Sequence, residues 1–143
     1  MSFIDTVPIE KDASFESNWT TYIACVVAAC AADGLSAAEK SAIADWATAQ
    51  GVPAGVIDKA TATAKGMDTG AISGNKSAAF FGPYLVRDAI RMCKIDGIGA
   101  SEKSAIAALA QAVGVSPAQQ SAIQAVIDQH DAALAGWKKL VAR

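Results

Sequence analysis

DGLSAAEKSAIADWATAQGV at residues 33–52 and DGIGASEKSAIAALAQAVGV at residues 96–115 decide how this chain is built. Set at a constant offset of 63, they agree at 13 of 20 positions, which marks an internal duplication. Each copy reads Asp-Gly, then Glu-Lys, then an Ala/Ile stripe, then Gly-Val. Ser36 followed by Glu39 is a capping-box signature, so a helix is expected over residues 37–50. Its stripe, Ala42, Ile43, Trp46 and Gln50, leads back to Glu39. In the second copy a helix over 100–113 carries Ala105, Ile106, Leu109 and Val113, headed by Glu102.

Working outward, the residues before each copy also correspond. A helix from about Asn18 to Ala32, with Ser17 or Asn18 as N-cap, aligns Ile23, Val26, Val27 and Cys30 and points its stripe at Asp33. A helix opening at Gly82-Pro83 aligns Val86, Ala89, Ile90 and Cys93 and runs into Asp96. Pro53 starts a third helix to about Lys65, closed by Gly66. Ser116-Pro117 opens a last one to about Leu134, with Gly136 expected to interrupt it. Residues 1–16 read as a loosely held arm or short helix, and the Gly/Ser-rich residues 66–77 as a linker. The glycines of that linker do not have phosphate-loop spacing, and no strand precedes them. The expectation is a single all-α domain over residues 17–143. Two pseudo-twofold-related helical hairpins, about 18–65 and 78–135, supply its six to seven helices.

Composition agrees. Alanine is the best helix former, and no segment alternates Val, Ile, Thr and aromatics as strands do. A net charge of −2 gives no clustered basic footprint, so nucleic acid is disfavoured as a partner. The longest apolar run, residues 22–32, falls short of the roughly 18 residues of a membrane span. No basic-then-apolar leader opens the chain, and Cys25, Cys30 and Cys93 are an odd number at no ligand spacing. These features predict a soluble protein of the reducing cytoplasm. Cys30 and Cys93 hold equivalent places where a small apolar side chain is wanted, so packing is their expected role, with oxidation open to them if they lie close.

The chemistry resides in Asp33, Glu39, Asp96 and Glu102. Turn formation and capping explain Asp33 and Glu39 with no ligand. The second copy has Gly99 where the first has Ser36, yet keeps both acids, which favours a carboxylate role. Packed about a pseudo-dyad, four core-facing carboxylates would have to hold protons or capture a cation; a cation is the economical answer, and all-oxygen ligation suits Ca²⁺, Mg²⁺ or Mn²⁺. The rival reading pairs Lys40 and Lys103 with these acids and needs no metal. His130, the single histidine, is expected at the core edge. Arg87, Arg91 and Lys94 are expected on a solvated face. With no nucleophile beside a base and no cofactor loop, a binding module is favoured over a carboxylate-ligated metalloenzyme or a metal-free helical adaptor.

ACAADGLSAAEKSAI at 29–43 and MCKIDGIGASEKSAI at 92–106, each followed by a Gly-Val turn, resemble the TerB-like family, named for bacterial tellurite-resistance proteins. The resemblance covers about residues 18–120. It implies an all-helical domain with internal pseudo-twofold symmetry and an acidic divalent-cation site, carried here by Asp33, Glu39, Asp96 and Glu102. It also implies a stress- or tellurite-resistance role as a binding or scaffolding component, with other proteins of a stress-response system as partners.

Overall fold

A computed structural model describes residues 6–31, 34–65, 67 and 81–142. Among these the chain is all-helical. Its helices are α1 (Phe15–Cys30), α2 (Ala37–Ala49), α3 (Ala54–Ala64), α4 (Gly82–Cys93), α5 (Ala100–Ala112) and α6 (Pro117–Val141), with a 3-10 turn at Lys94–Asp96. The duplication is carried into the elements. Cys30 and Cys93 both end helices, Ala37 and Ala100 both begin them, Ala49 and Ala112 both end them, and Ala54 and Pro117 open the third helix of each half. The turns repeat as well: Gly34 N–H donates to Ala31 O at 3.0 Å, and Gly97 N–H to Lys94 O at 3.2 Å. Both glycines sit at positive φ, 88° and 81°, which a side chain resists.

α1 is the hub. It packs on α2 and α3 of its own half and on α4 and α5 of the other, while α4 reciprocally meets α2. Every residue from Tyr22 to Val27 is buried, as are Trp19, Ala29 and Cys30. From Tyr22 onward the expected single stripe has become burial on nearly every side, as a central position demands, while Glu16 and Ser17 in the first turn stay exposed. α1 also starts earlier than expected, at Phe15 with Ser14 before it. Phe15 lies edge-on to the buried Trp19, ring centroids 6.4 Å apart, and this contact holds the extra turn.

Two further expectations are corrected. The described part of the arm is not loose, because Val7 and Ile9 are buried and Arg87 Nη2 donates to Thr6 O at 3.0 Å. α6 runs through Gly136 to Val141. A helical glycine costs only about 1 kcal/mol against alanine, too little to end a helix by itself. On α6 only Ile127 is buried, while Val126 and Leu134 are 49% and 44% exposed. The linker lies outside the described residues apart from Met67. No helix among the described residues is long and apolar enough to cross a membrane.

Candidate metal centre

The end of α1 meets the end of α4. Because the apolar stripes of both helices finish on cysteine, packing them together brings Cys30 Sγ and Cys93 Sγ to 2.9 Å, both fully buried. Cys30 Sγ also lies 4.0 Å from Ala89 O. Onto this pair α2 and α5 each bring the glutamate of their first turn. Ser36 caps α2, its Oγ accepting from Glu39 N–H at 3.0 Å, and Ser36 N–H returns the bond to Glu39 Oε1 at 3.0 Å. In α5 only the return bond exists, Gly99 N–H to Glu102 Oε1 at 3.3 Å. The boxes fix both carboxyl groups while using one oxygen of each. Glu39 and Glu102 are 4% and 6% exposed, and Oε2 of each is buried without a hydrogen-bond partner.

Donor atoms of Cys30, Cys93 and Glu39 all lie within 4.8 Å of one another. Glu102 joins from the second half. Cys93 is pushed far above the ordinary thiol range by the Cys30 hydrogen bond first, then by burial, and further by the neighbouring Glu102 carboxylate. Two sulfurs and one carboxylate thus converge from three helices, and Glu102 of a fourth approaches beside Cys93. An unsatisfied buried carboxylate oxygen is costly, and a cation satisfies both at once.

The four acids singled out in the sequence separate. Glu39 and Glu102 enter the cluster. Asp33 lies outside the described residues. Asp96 is exposed rather than core-facing, because α4 gives way to the 3-10 turn after Cys93 and the helical register that would have carried Asp96 inward is lost. Its Oδ2 accepts from Ser36 Oγ, so the aspartate of the second copy braces the N-cap of the first. Lys40 and Lys103 are exposed, and among the described residues neither forms an ion pair with Glu39, Glu102 or Asp96. The cysteines were the part that sequence reasoning assigned to packing. The signal was present in their shared offset of 63 from one another, one step before each acidic turn.

A second buried polar group lies away from the cluster. Asp88 is fully buried on α4 and accepts from Tyr22 Oη at 2.5 Å, Arg87 Nε at 2.9 Å and Arg87 Nη2 at 3.0 Å. Burial pushes its carboxyl up against the opposing pull of Arg87, and burial likewise raises Tyr22 well above the usual phenol. The expected solvated basic face is therefore committed. Arg87 and Arg91 serve Asp88, and Lys94 binds Asp128 at 2.9 Å and Asp131 at 3.0 Å. His130 is half-buried, its Nδ1 3.6 Å from Asp131 Oδ1. An apolar groove between α4 and α6, lined by Pro83, Tyr84, Ile123, Val126 and Ile127, contains no thiol, carboxylate or imidazole.

No protein-family model matches the chain, and no curated protein or solved structure is significantly similar to it.

Proposed function

We propose that this chain is a helical binding module of the TerB-like, stress-resistance type, and that it holds one divalent cation between its two halves. Glu39 and Glu102, two of the four acids singled out in the sequence, serve as carboxylate ligands, and Cys30 and Cys93 as thiolate ligands beside them. The observation that carries this reading is the approach of donor atoms of Cys30, Cys93 and Glu39 to within 4.8 Å of one another, with one oxygen of each glutamate buried outside its capping bond. Thiolates change the ion that fits. Ca²⁺, Mg²⁺ and Mn²⁺ prefer oxygen throughout, whereas a Cys₂Glu₂ set suits a borderline ion with tetrahedral habit, Zn²⁺ foremost. With Glu102 drawn onto the group of Cys30, Cys93 and Glu39, four protein donors would complete a tetrahedral shell, the closed arrangement of binding and structural sites rather than the open one of catalytic sites.

The repeated helical units and the motifs at 29–43 and 92–106 support the family resemblance on which the stress- or tellurite-resistance role rests. Titration of the metal-stripped, reduced protein with Co²⁺ tests the site. The expected result is one ion per chain, with sulfur-to-cobalt charge-transfer absorption that Zn²⁺ displaces and that Cys93→Ser removes. Absence of tight binding by either ion overturns the reading.

A further inference from the structure

The sulfurs of Cys30 and Cys93, 2.9 Å apart, lie closer together than two thiolates bound to one tetrahedral zinc. Two thiolates on one tetrahedral zinc, each with a Zn–S bond of ~2.3 Å, stand roughly 3.8 Å apart. A disulfide draws its sulfurs to ~2.05 Å. The observed 2.9 Å lies between the two, so a shift of under an ångström in either direction reaches one arrangement and forbids the other. We infer that Cys30 and Cys93 are a reversible dithiol redox site, which a hydroperoxide converts to a disulfide that empties the cation site; the release step rests on the cation reading above.

The chemistry balances with the hydroperoxide as oxidant. One cysteine sulfur attacks the terminal peroxide oxygen, the O–O bond breaks, and an alcohol or water leaves with the thiol proton, giving a sulfenic acid. The second sulfur attacks the first, the S–O bond breaks, and water departs with the second proton. Two thiols have then lost two electrons to the peroxide. The bond joins the ends of α1 and α4, one from each half, so it closes a loop across the whole repeat and leaves no thiolate for a cation.

Position supports the role. Both sulfurs are buried, but they lie where α4 passes into the short 3-10 turn at Lys94–Asp96, whose residues Ile95 and Asp96 are exposed. A single turn of this kind opens at little cost, and its opening gates the oxidant. Cys25, buried in mid-α1 away from the helix end that carries Cys30, supplies an internal control.

The test uses the wild-type chain, zinc-loaded and zinc-free, treated with hydrogen peroxide. Free thiols counted under denaturing conditions should fall from three to one, intact mass should drop by about 2 Da as two protons leave, and non-reducing peptide mapping should join Cys30 to Cys93. Zinc captured by a chromogenic chelator should appear at one ion per bridge formed, and dithiothreitol should restore binding. Zinc that stays bound with three thiols intact, or a bridge through Cys25, overturns the inference and leaves the cation reading standing. A chain that binds no zinc yet forms the Cys30–Cys93 bridge overturns the cation reading and the release step, and supports the thiol chemistry alone.

Discussion

Cys30 and Cys93 are separated by 63 residues and their sulfurs by 2.9 Å. Each is the last residue of its helix, and each sits beside the capping glutamate of the helix that follows in the chain. Duplication has placed the same two donor types on either side of one junction, so a cluster of four arises from a motif of two.

If those donors hold a cation, ligand binding to the native state alone must raise stability. Zinc at a hundredfold excess over its Kd should add roughly 2.7 kcal/mol. For a chain of this size the midpoint of thermal unfolding then rises by several degrees over that with a chelator. Cys93→Ser should abolish the rise, while Asp96→Asn, which alters only the exposed brace to Ser36, should keep it.

Replacing Glu39 and Glu102 together by Gln retains the acceptor that each capping box uses and removes both desolvated charges. The metal-free double variant is expected to unfold at or above the wild-type midpoint, because charge without a partner no longer has to be buried. Its zinc-dependent stabilisation should vanish. A double variant that keeps that stabilisation would show that the carboxylates are capping groups only.

Asp88 should be the most sensitive polar position in the chain. Asp88→Ala strands the buried Tyr22 hydroxyl and removes the partner of Arg87, which also anchors Thr6. Breaking such a buried pair costs on the order of 3 kcal/mol or more. Tyr22→Phe leaves both Arg87 bonds and should cost about 1 kcal/mol. Urea unfolding monitored by circular dichroism separates the two.

Burial raises the Tyr22 pKa above its unfolded value, so the folded chain keeps a proton that the unfolded chain loses near pH 10. Its contribution is fully present below that pH and declines as pH rises toward the folded value. Alkaline titration should show Tyr22 phenolate absorbance appearing together with loss of helical ellipticity. Tyr22 ionising while the helices remain intact would contradict the burial.

Two glycines should respond in opposite directions to alanine. A Cβ on Gly82 would meet Val113 O at 2.7 Å, so Gly82→Ala must displace the start of α4 and should cost roughly 1–3 kcal/mol. Gly136 has open space around it in an exposed stretch of α6, so Gly136→Ala should raise helicity of that segment and stabilise it by up to about 1 kcal/mol. Amide exchange along α6 reads the second effect directly.

Residue order by itself determined the helices and their duplication, because apolar spacing, capping residues and turn glycines act within a few positions of one another. Ser36 with Glu39 and the stripe leading into Cys93 need no knowledge of the fold to be read. Local reasoning failed wherever a third element intervened. Asp96 was carried inward by extending the stripe of α4 one step too far, and the 3-10 turn rotated it to the surface. α1 showed one stripe but its second half is enclosed on nearly every side, since how many helices cover it depends on packing between the halves. Nothing in the spacing around Asp88 singles it out, because its partner Tyr22 is 66 residues away. The two cysteines were visible as equivalents at the offset of 63. Only the meeting of α1 with α4 put their sulfurs in contact and set both glutamates against them, because convergence of donors from four helices is a property of the assembled core and of no single stretch of chain.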